Sequence, residues 1–233
     1  MRRETLKRLL DARAARRALV LVTRLDGGGE EIISPGSIDK GHPQISEITA
    51  CLRTGRGKIV ETGAGELFLQ PFLPAPRLMI VGATHIAQVL VRLAREVAIE
   101  PFVIDPRTAF ATTERFGDAK LIPKWPGEAL GELGLDARCA LVCLAHVPDI
   151  DDEALAAALR SDCFYLGALG SVRSHERRLE RLKARGFGEE ECRAVHAPIG
   201  LDIGSVTPSE IALSIIAEVV AALRAGAGAD GGR

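Results

Sequence analysis

The feature that most constrains this chain is the apolar run Leu78-Met79-Ile80-Val81, which passes directly into Gly82-Ala83-Thr84-His85 and then into a helical pattern. A buried strand, a glycine turn and a helix start open a βαβ unit, whose helix N-terminus presents backbone N–H groups to an anion. The rhythm continues downstream. Short apolar runs at 101–104, 120–122, 140–145 and 163–166 alternate with helical segments near 86–97, 150–161 and 171–185. Runs that are apolar throughout belong to parallel strands covered on both faces. The sequence therefore predicts an α/β fold, a Rossmann-like parallel sheet, over residues 77–225. Its last helix starts at Thr207-Pro208-Ser209-Glu210, where threonine caps, proline fits the first turn and glutamate closes a capping box.

Residues 1–76 read as a small N-terminal α+β module. An Arg-rich amphipathic helix over 2–17 precedes a hairpin over 18–34 that turns at Asp26-Gly27-Gly28-Gly29; a helix over 42–53 and a second hairpin over 58–70 follow. Leu73-Pro74-Ala75-Pro76-Arg77 is a stiff linker. The Gly-rich residues 226–233 are expected to form a disordered tail.

Lys and Arg number 30 against 31 Asp and Glu, so no overall field gathers nucleic acid or an anionic membrane. No apolar stretch approaches the roughly 20 residues of a membrane span, and the basic start lacks the apolar centre of a signal peptide. The expected location is the cytoplasm. Five cysteines, without disulfide-framework or metal spacing, read mainly as buried thiols.

Carboxyl ends of parallel strands face one crevice, so candidate ligand residues are those that follow the strands. His85 follows the first strand, Asp105 and Arg107 the second, and His146 the run at 140–145; Gly170 and Ser171 lie beyond 163–166. Asp105 stands where an acid holds a ribose hydroxyl, and it fits a turn residue in Asp105-Pro106-Arg107 equally well. The dinucleotide fingerprint keeps its first glycine, Gly82, but Thr84 occupies the second place, where glycine lets a pyrophosphate approach. Thr84 therefore disfavours NAD(P) and favours a compact anion site, and Thr84→Gly is expected to improve NAD(P) binding. Ser171 and Arg173 open a basic helix and suit a phosphate; the charges from Arg177 onward read as a solvated face. Asp202, in Pro198-Ile199-Gly200-Leu201-Asp202-Ile203-Gly204, is open to capping, ligand or catalytic roles, in a segment expected to lie against the sheet ends. No Gly-x-Ser-x-Gly elbow, Cys-x-x-Cys pair or His-Glu-x-x-His helix is present, so no nucleophile stands out.

Four motifs in order, the 78–88 strand and loop, Val103-Ile104-Asp105-Pro106-Arg107, Tyr165-Leu166-Gly167-Ala168-Leu169-Gly170-Ser171, and Pro198 to Gly204 with Thr207 to Ala212, resemble the C-terminal Rossmann domain of XdhC/CoxI proteins. The resemblance spans residues 77–223 and implies an accessory protein that binds molybdenum cofactor and assists its maturation or insertion into a molybdenum hydroxylase of the xanthine or carbon monoxide dehydrogenase type. It implies a homodimer, and as partners the hydroxylase apoenzyme and a cysteine desulfurase or other cofactor-maturation protein. A maturation factor of this kind needs no turnover chemistry. By the same likeness Gly82, His85, Asp105, Arg107, His146, Gly170, Ser171 and Asp202 are cofactor-binding positions. Longer members carry an N-terminal Ser-Gly-Gly-Cys-like motif; here Gly36-Ser37 stands in a shorter module with no cysteine before Cys51. The alternative reading is an NAD(P)-dependent oxidoreductase of Rossmann type, and a third is a scaffold that has kept the fold alone.

Overall fold

A computed structural model describes residues 2–39 and 41–225, so the expected tail at 226–233 lies outside the described residues. Contacts divide the described chain into two units, the residues up to Pro74, with Arg224 and Ala225, forming the first and Ala75–Leu223 the second. The first unit contains α1 (Arg3–Ala14), β1 (Leu19–Arg24), β2 (Glu30–Ile33), α2 (Ile45–Thr54), β3 (Lys58–Thr62) and β4 (Gly65–Phe72). Its strands form an antiparallel sheet in the order β2-β1-β4-β3. β1 is apolar at every position from Leu19 to Val22 because both of its faces are covered. Leu19 and Leu21 pack with Leu9 and Ala12 of α1, while Val20 and Val22 pack with Ile48 and Cys51 of α2.

The second unit contains β5 (Arg77–Val81), α3 (His85–Glu96), β6 (Glu100–Ile104), α4 (Thr113–Phe116), β7 (Lys120–Ile122), α5 (Pro126–Leu133), β8 (Cys139–Cys143), α6 (Pro148–Ala158), β9 (Tyr165–Ala168), α7 (Val172–Ala184), α8 (Glu189–Arg193), β10 (Val195–His196) and α9 (Pro208–Ala225). Its sheet is parallel in the order β10-β9-β8-β5-β6-β7, and the Rossmann-like α/β fold expected from the sequence is present. Helices cover both faces. Leu78, Ile80, Ala140 and Val142 meet Leu90 of α3 and Ile215 of α9 on one face. Met79, Val81, Leu141 and Cys143 meet Leu130 of α5, Leu155 of α6 and Leu182 of α7 on the other. All five cysteines are free thiols, four of them buried, as their apolar settings imply. No helix among the described residues is long and apolar enough to cross a membrane.

Two details differ from the sequence reading. The strand expected at 163–166 is β9 at Tyr165–Ala168, so Gly167 lies within the strand and not in the loop after it. The reason is tertiary: a Cβ on Gly167 would come within 2.5 Å of the Ile199 side chain. The short elements α4, α5, α8 and β10 had no assigned counterpart, although Pro126 at the first turn of α5 is a legible start signal.

Register aligns the carboxyl ends. Ile122, Ile104, Val81, Cys143 and Ala168 form one row across five strands, so the segments that follow them emerge side by side. β5 and β8 are neighbours where the strand order reverses, and there the backbone after β5 passes very close to that after β8. Gly82 has φ +106°, and a Cβ on it would lie 2.5 Å from the Ala145 nitrogen. Gly82→Ala should therefore destabilise the protein by at least about 3 kcal/mol in urea unfolding. Gly131→Ala, on α5 with nothing within 4 Å of the added methyl, should stabilise it by about 0.5–1 kcal/mol.

Candidate functional site at the strand ends

Asp105, at the end of β6, is fully buried. One carboxylate oxygen accepts the Ala83 N–H at 2.8 Å and Arg107 Nη2 at 2.8 Å; the other accepts the Arg107 backbone N–H and Nε, each at 2.9 Å. Burial alone would raise its pKa, but the hydrogen bonds from Arg107 and Ala83 prevail and hold the carboxyl below its ordinary value. Of the two roles open from sequence, the turn role is the one seen, extended into a strut between two strand-end loops. Its acceptor positions are used within the protein and not offered to a ribose.

Thr84 caps α3, its hydroxyl accepting the Ala87 N–H at 3.2 Å. Glycine at this position would remove the cap and leave Asp105 as occupied as before. The expected gain in NAD(P) binding on Thr84→Gly therefore concerns the threonine side chain alone, since Asp105 and the Gly82–Ala145 approach are untouched by it. His85, in the first turn of α3, is exposed.

A cavity lies one strand further along, over the ends of β8 and β9. Its volume is about 190 Å³, and it is faced by His146 and Asp151 from the β8 side, by Leu169 after β9, and by Ser174, Arg177, Arg178 and Arg181 of α7. Residues 174, 177, 178 and 181 share one face of a helix, which turns three arginines toward this space. Arg178 is only 4% exposed. Its Nη2 donates to the Leu169 carbonyl at 2.9 Å, while Nε and Nη1 are buried with no hydrogen-bond partner among the described residues. Arg181 grips Asp152 with two nitrogens, Nη2 reaching it at 3.1 Å. Asp151 is 2% exposed, and one of its oxygens accepts the Ala145 N–H at 3.3 Å. Burial pushes its carboxyl up to about 6, against the pull of the Arg178 charge.

Of the ten residues selected from sequence, His146 lines this cavity; it sits at φ +56°, a left-handed conformation rare for a side-chain-bearing residue. Gly170 leads into α7, and the Ser171 hydroxyl caps it by accepting the Ser174 N–H at 3.3 Å. Arg173 is exposed and does not line the cavity. The reading of Arg177 onward as a solvated face is corrected: Arg177 is exposed, but Arg178 is buried because its helical phase points to the sheet end. Helical spacing shows that Ser174, Arg178 and Arg181 share a face, but not that this face turns to the sheet end. Asp151 carried no comparable signal, because an acid in a first helical turn ordinarily serves the helix dipole.

Asp202 is exposed, and so are Leu201, Ile203 and Gly204. The expectation that the whole 198–204 segment lies against the sheet ends holds only for its start. Ile199 is buried, and the Gly200 N–H donates to Glu218 of α9 at 2.7 Å. Glu218 also accepts from the Tyr165 hydroxyl and contacts His196 Nδ1 at 2.8 Å, a tie that sequence reasoning missed.

The XdhC Rossmann domain family matches residues 78–219. The chain belongs to the XdhC family. Among curated XdhC relatives it is 31% identical over 148 residues to the molybdenum cofactor insertion chaperone PaoD of Escherichia coli, covering 64% of this chain and 40% of that one. It is 30% identical over 155 residues to a probable xanthine dehydrogenase subunit of Bacillus subtilis, covering 66% and 45%. A third relative, the E. coli protein YqeB, is 32% identical over 170 residues, covering 68% and 29%. The chain thus spans less than half the length of these relatives. A solved structure described as a xanthine dehydrogenase from Bacillus halodurans superposes with TM-score 0.72 at 27% identity, over 96% of this chain and 67% of that one.

The raised Asp151 carboxyl has a stability signature. Its folded pKa, about 6, lies above its ordinary value of 3.8, so the folded state binds the proton more tightly and stability falls as pH rises through this window. Asp151→Asn should abolish that slope and stabilise the protein near neutral pH by on the order of 2 kcal/mol, measured by urea unfolding between about pH 4 and 8.

Proposed function

We propose that this XdhC-family chain is an accessory protein that holds molybdenum cofactor as cargo and assists its maturation or insertion into a molybdenum hydroxylase of the xanthine or carbon monoxide dehydrogenase type. The observation that carries the reading is the arginine-faced cavity at the β8 and β9 strand ends, which suits an anionic cargo. The similarity to a molybdenum cofactor insertion chaperone and to a probable xanthine dehydrogenase subunit supports the choice of cargo. On this reading the partner is the hydroxylase apoenzyme, with a cysteine desulfurase or comparable maturation protein upstream, and the chain works in the cytoplasm as a homodimer. Holding and releasing cargo requires no nucleophile. Arg178 and its neighbours bind charge, and His146 lines the same entrance.

The NAD(P)-dependent oxidoreductase reading is weakened by the arrangement of the fingerprint loop. A ribose-binding acid has to offer an oxygen, and both oxygens of Asp105 are engaged by Ala83 and Arg107. Protein purified under anoxic conditions from cells that make molybdenum cofactor should carry pterin fluorescence together with molybdenum, and should restore activity to cofactor-free hydroxylase. Retention of nicotinamide nucleotide alone would overturn the proposal.

A further inference from the structure

Arg178 presents an unmet electrostatic requirement. The guanidinium is fixed in charge and carries five donors, yet in this buried position its one hydrogen bond goes to the Leu169 carbonyl. Nε and Nη1 are buried and without partners among the described residues. Burying charged donors without hydrogen bonds is expensive, so such groups belong to sites that a counter-charge completes. Asp151 lines the same space, but it forms no ion pair with Arg178 among the described residues, and it accepts from Ala145 instead.

We infer that this cavity is an oxyanion site for the terminal phosphate of a phosphorylated small molecule, with Arg178 as its buried anchor and Arg177 and Arg181 at its rim. Three features select that ligand class. The planar donor fork of arginine matches phosphate oxygens. Ser174 places the first turn of α7, the positive end of a 13-residue helix, on the cavity wall. The volume of about 190 Å³ lies below the roughly 300–1,000 Å³ of pockets that enclose whole ligands, so the cavity takes an end group and leaves the remainder outside. The assignment deepens the cargo reading, since the pterin of molybdenum cofactor carries one terminal phosphate, but the site can be tested without that cargo.

The surrounding charges predict how an anion binds. Asp151 is faced by Asp152 on its own helix, by His146 in the turn before that helix, by Arg177, Arg178 and Arg181 on α7, by Arg107 beyond β6, and by the Cys143 thiol on β8. An incoming oxyanion repels ionised Asp151 and is favoured once that carboxyl takes a proton. Sulfate stays doubly charged across the range, so its affinity should rise as pH falls through about 6, and Asp151→Asn should bind it tightly at every pH.

The test uses the full chain, calorimetric titration and thermal unfolding, with inorganic phosphate and sulfate as probes and chloride at matched ionic strength as control. Wild type should show saturable binding that raises Tm, and Arg178→Met should lose affinity at least about tenfold while remaining folded. Arg178→Lys should retain part of the affinity, because it keeps the charge and loses the fork. Without phosphate, Arg178→Met takes away the cation that pulls on buried Asp151, so any loss of stability should be smaller below about pH 6, where that carboxyl is protonated, than at neutral pH. If Arg178→Met does not fold, the exposed variant Arg177→Gln should lower phosphate affinity about threefold or more at unchanged Tm. Equal phosphate responses in wild type and variants, or no saturable binding up to about 20 mM, would overturn the assignment. Phosphate binding through Arg178 without cofactor retention in cells would leave the site standing and remove the cargo reading. Equal cofactor retention by wild type and Arg178→Met would do the reverse.

Discussion

The passage of the Gly82 backbone against Ala145 is the constraint on which the carboxyl end of the sheet depends. It joins the segments after β5 and β8, the two strands at which the order reverses, and leaves no room there even for a methyl group. Asp105 completes the closure by binding Ala83 on one side and Arg107 on its own loop. In an open α/β sheet this is where a dinucleotide would lie. Here the acid at that place is a strut between two loops, and a cavity faced by three arginines lies one strand along, over β8 and β9.

The two places differ in the chemistry they offer. A dinucleotide crevice uses backbone amides and an acid that reads the ribose; this cavity uses guanidinium groups and a carboxyl that resists ionisation. Burial acts on both kinds of group at once, leaving Arg178 short of acceptors and raising Asp151 to about 6. The pairing makes the cavity receptive to a compact dianion and responsive to pH in the range where Asp151 titrates. Arg181 contributes less than its charge suggests, because two of its nitrogens already hold Asp152.

The fold was legible because its signals are local. Uninterrupted apolar runs marked the buried strands, and Thr84, Ser171 and Thr207 each cap the helix they precede. The site was less legible because it depends on which way side chains turn once the sheet has formed. Asp105 occupies the position of a ribose ligand and acts as a strut, a distinction fixed by the nearby Ala83 amide and invisible in spacing. Arg173 and Arg178 lie on one basic helix, and only the packing of α7 over the β9 end separates an exposed cation from a buried one. Gly167 resembles a turn residue in sequence and is required inside β9 by Ile199, which lies far along the chain.

The central claim is that the β8 and β9 strand ends form a built oxyanion site around Arg178. Its most direct test is a crystal structure of the full chain grown in selenate near pH 5.5, with data collected at the selenium absorption edge. An anomalous peak is expected inside the cavity, within hydrogen-bonding distance of Arg178 Nε or Nη1. A cavity holding only water, with selenate confined to exposed lysines and arginines elsewhere, would contradict it.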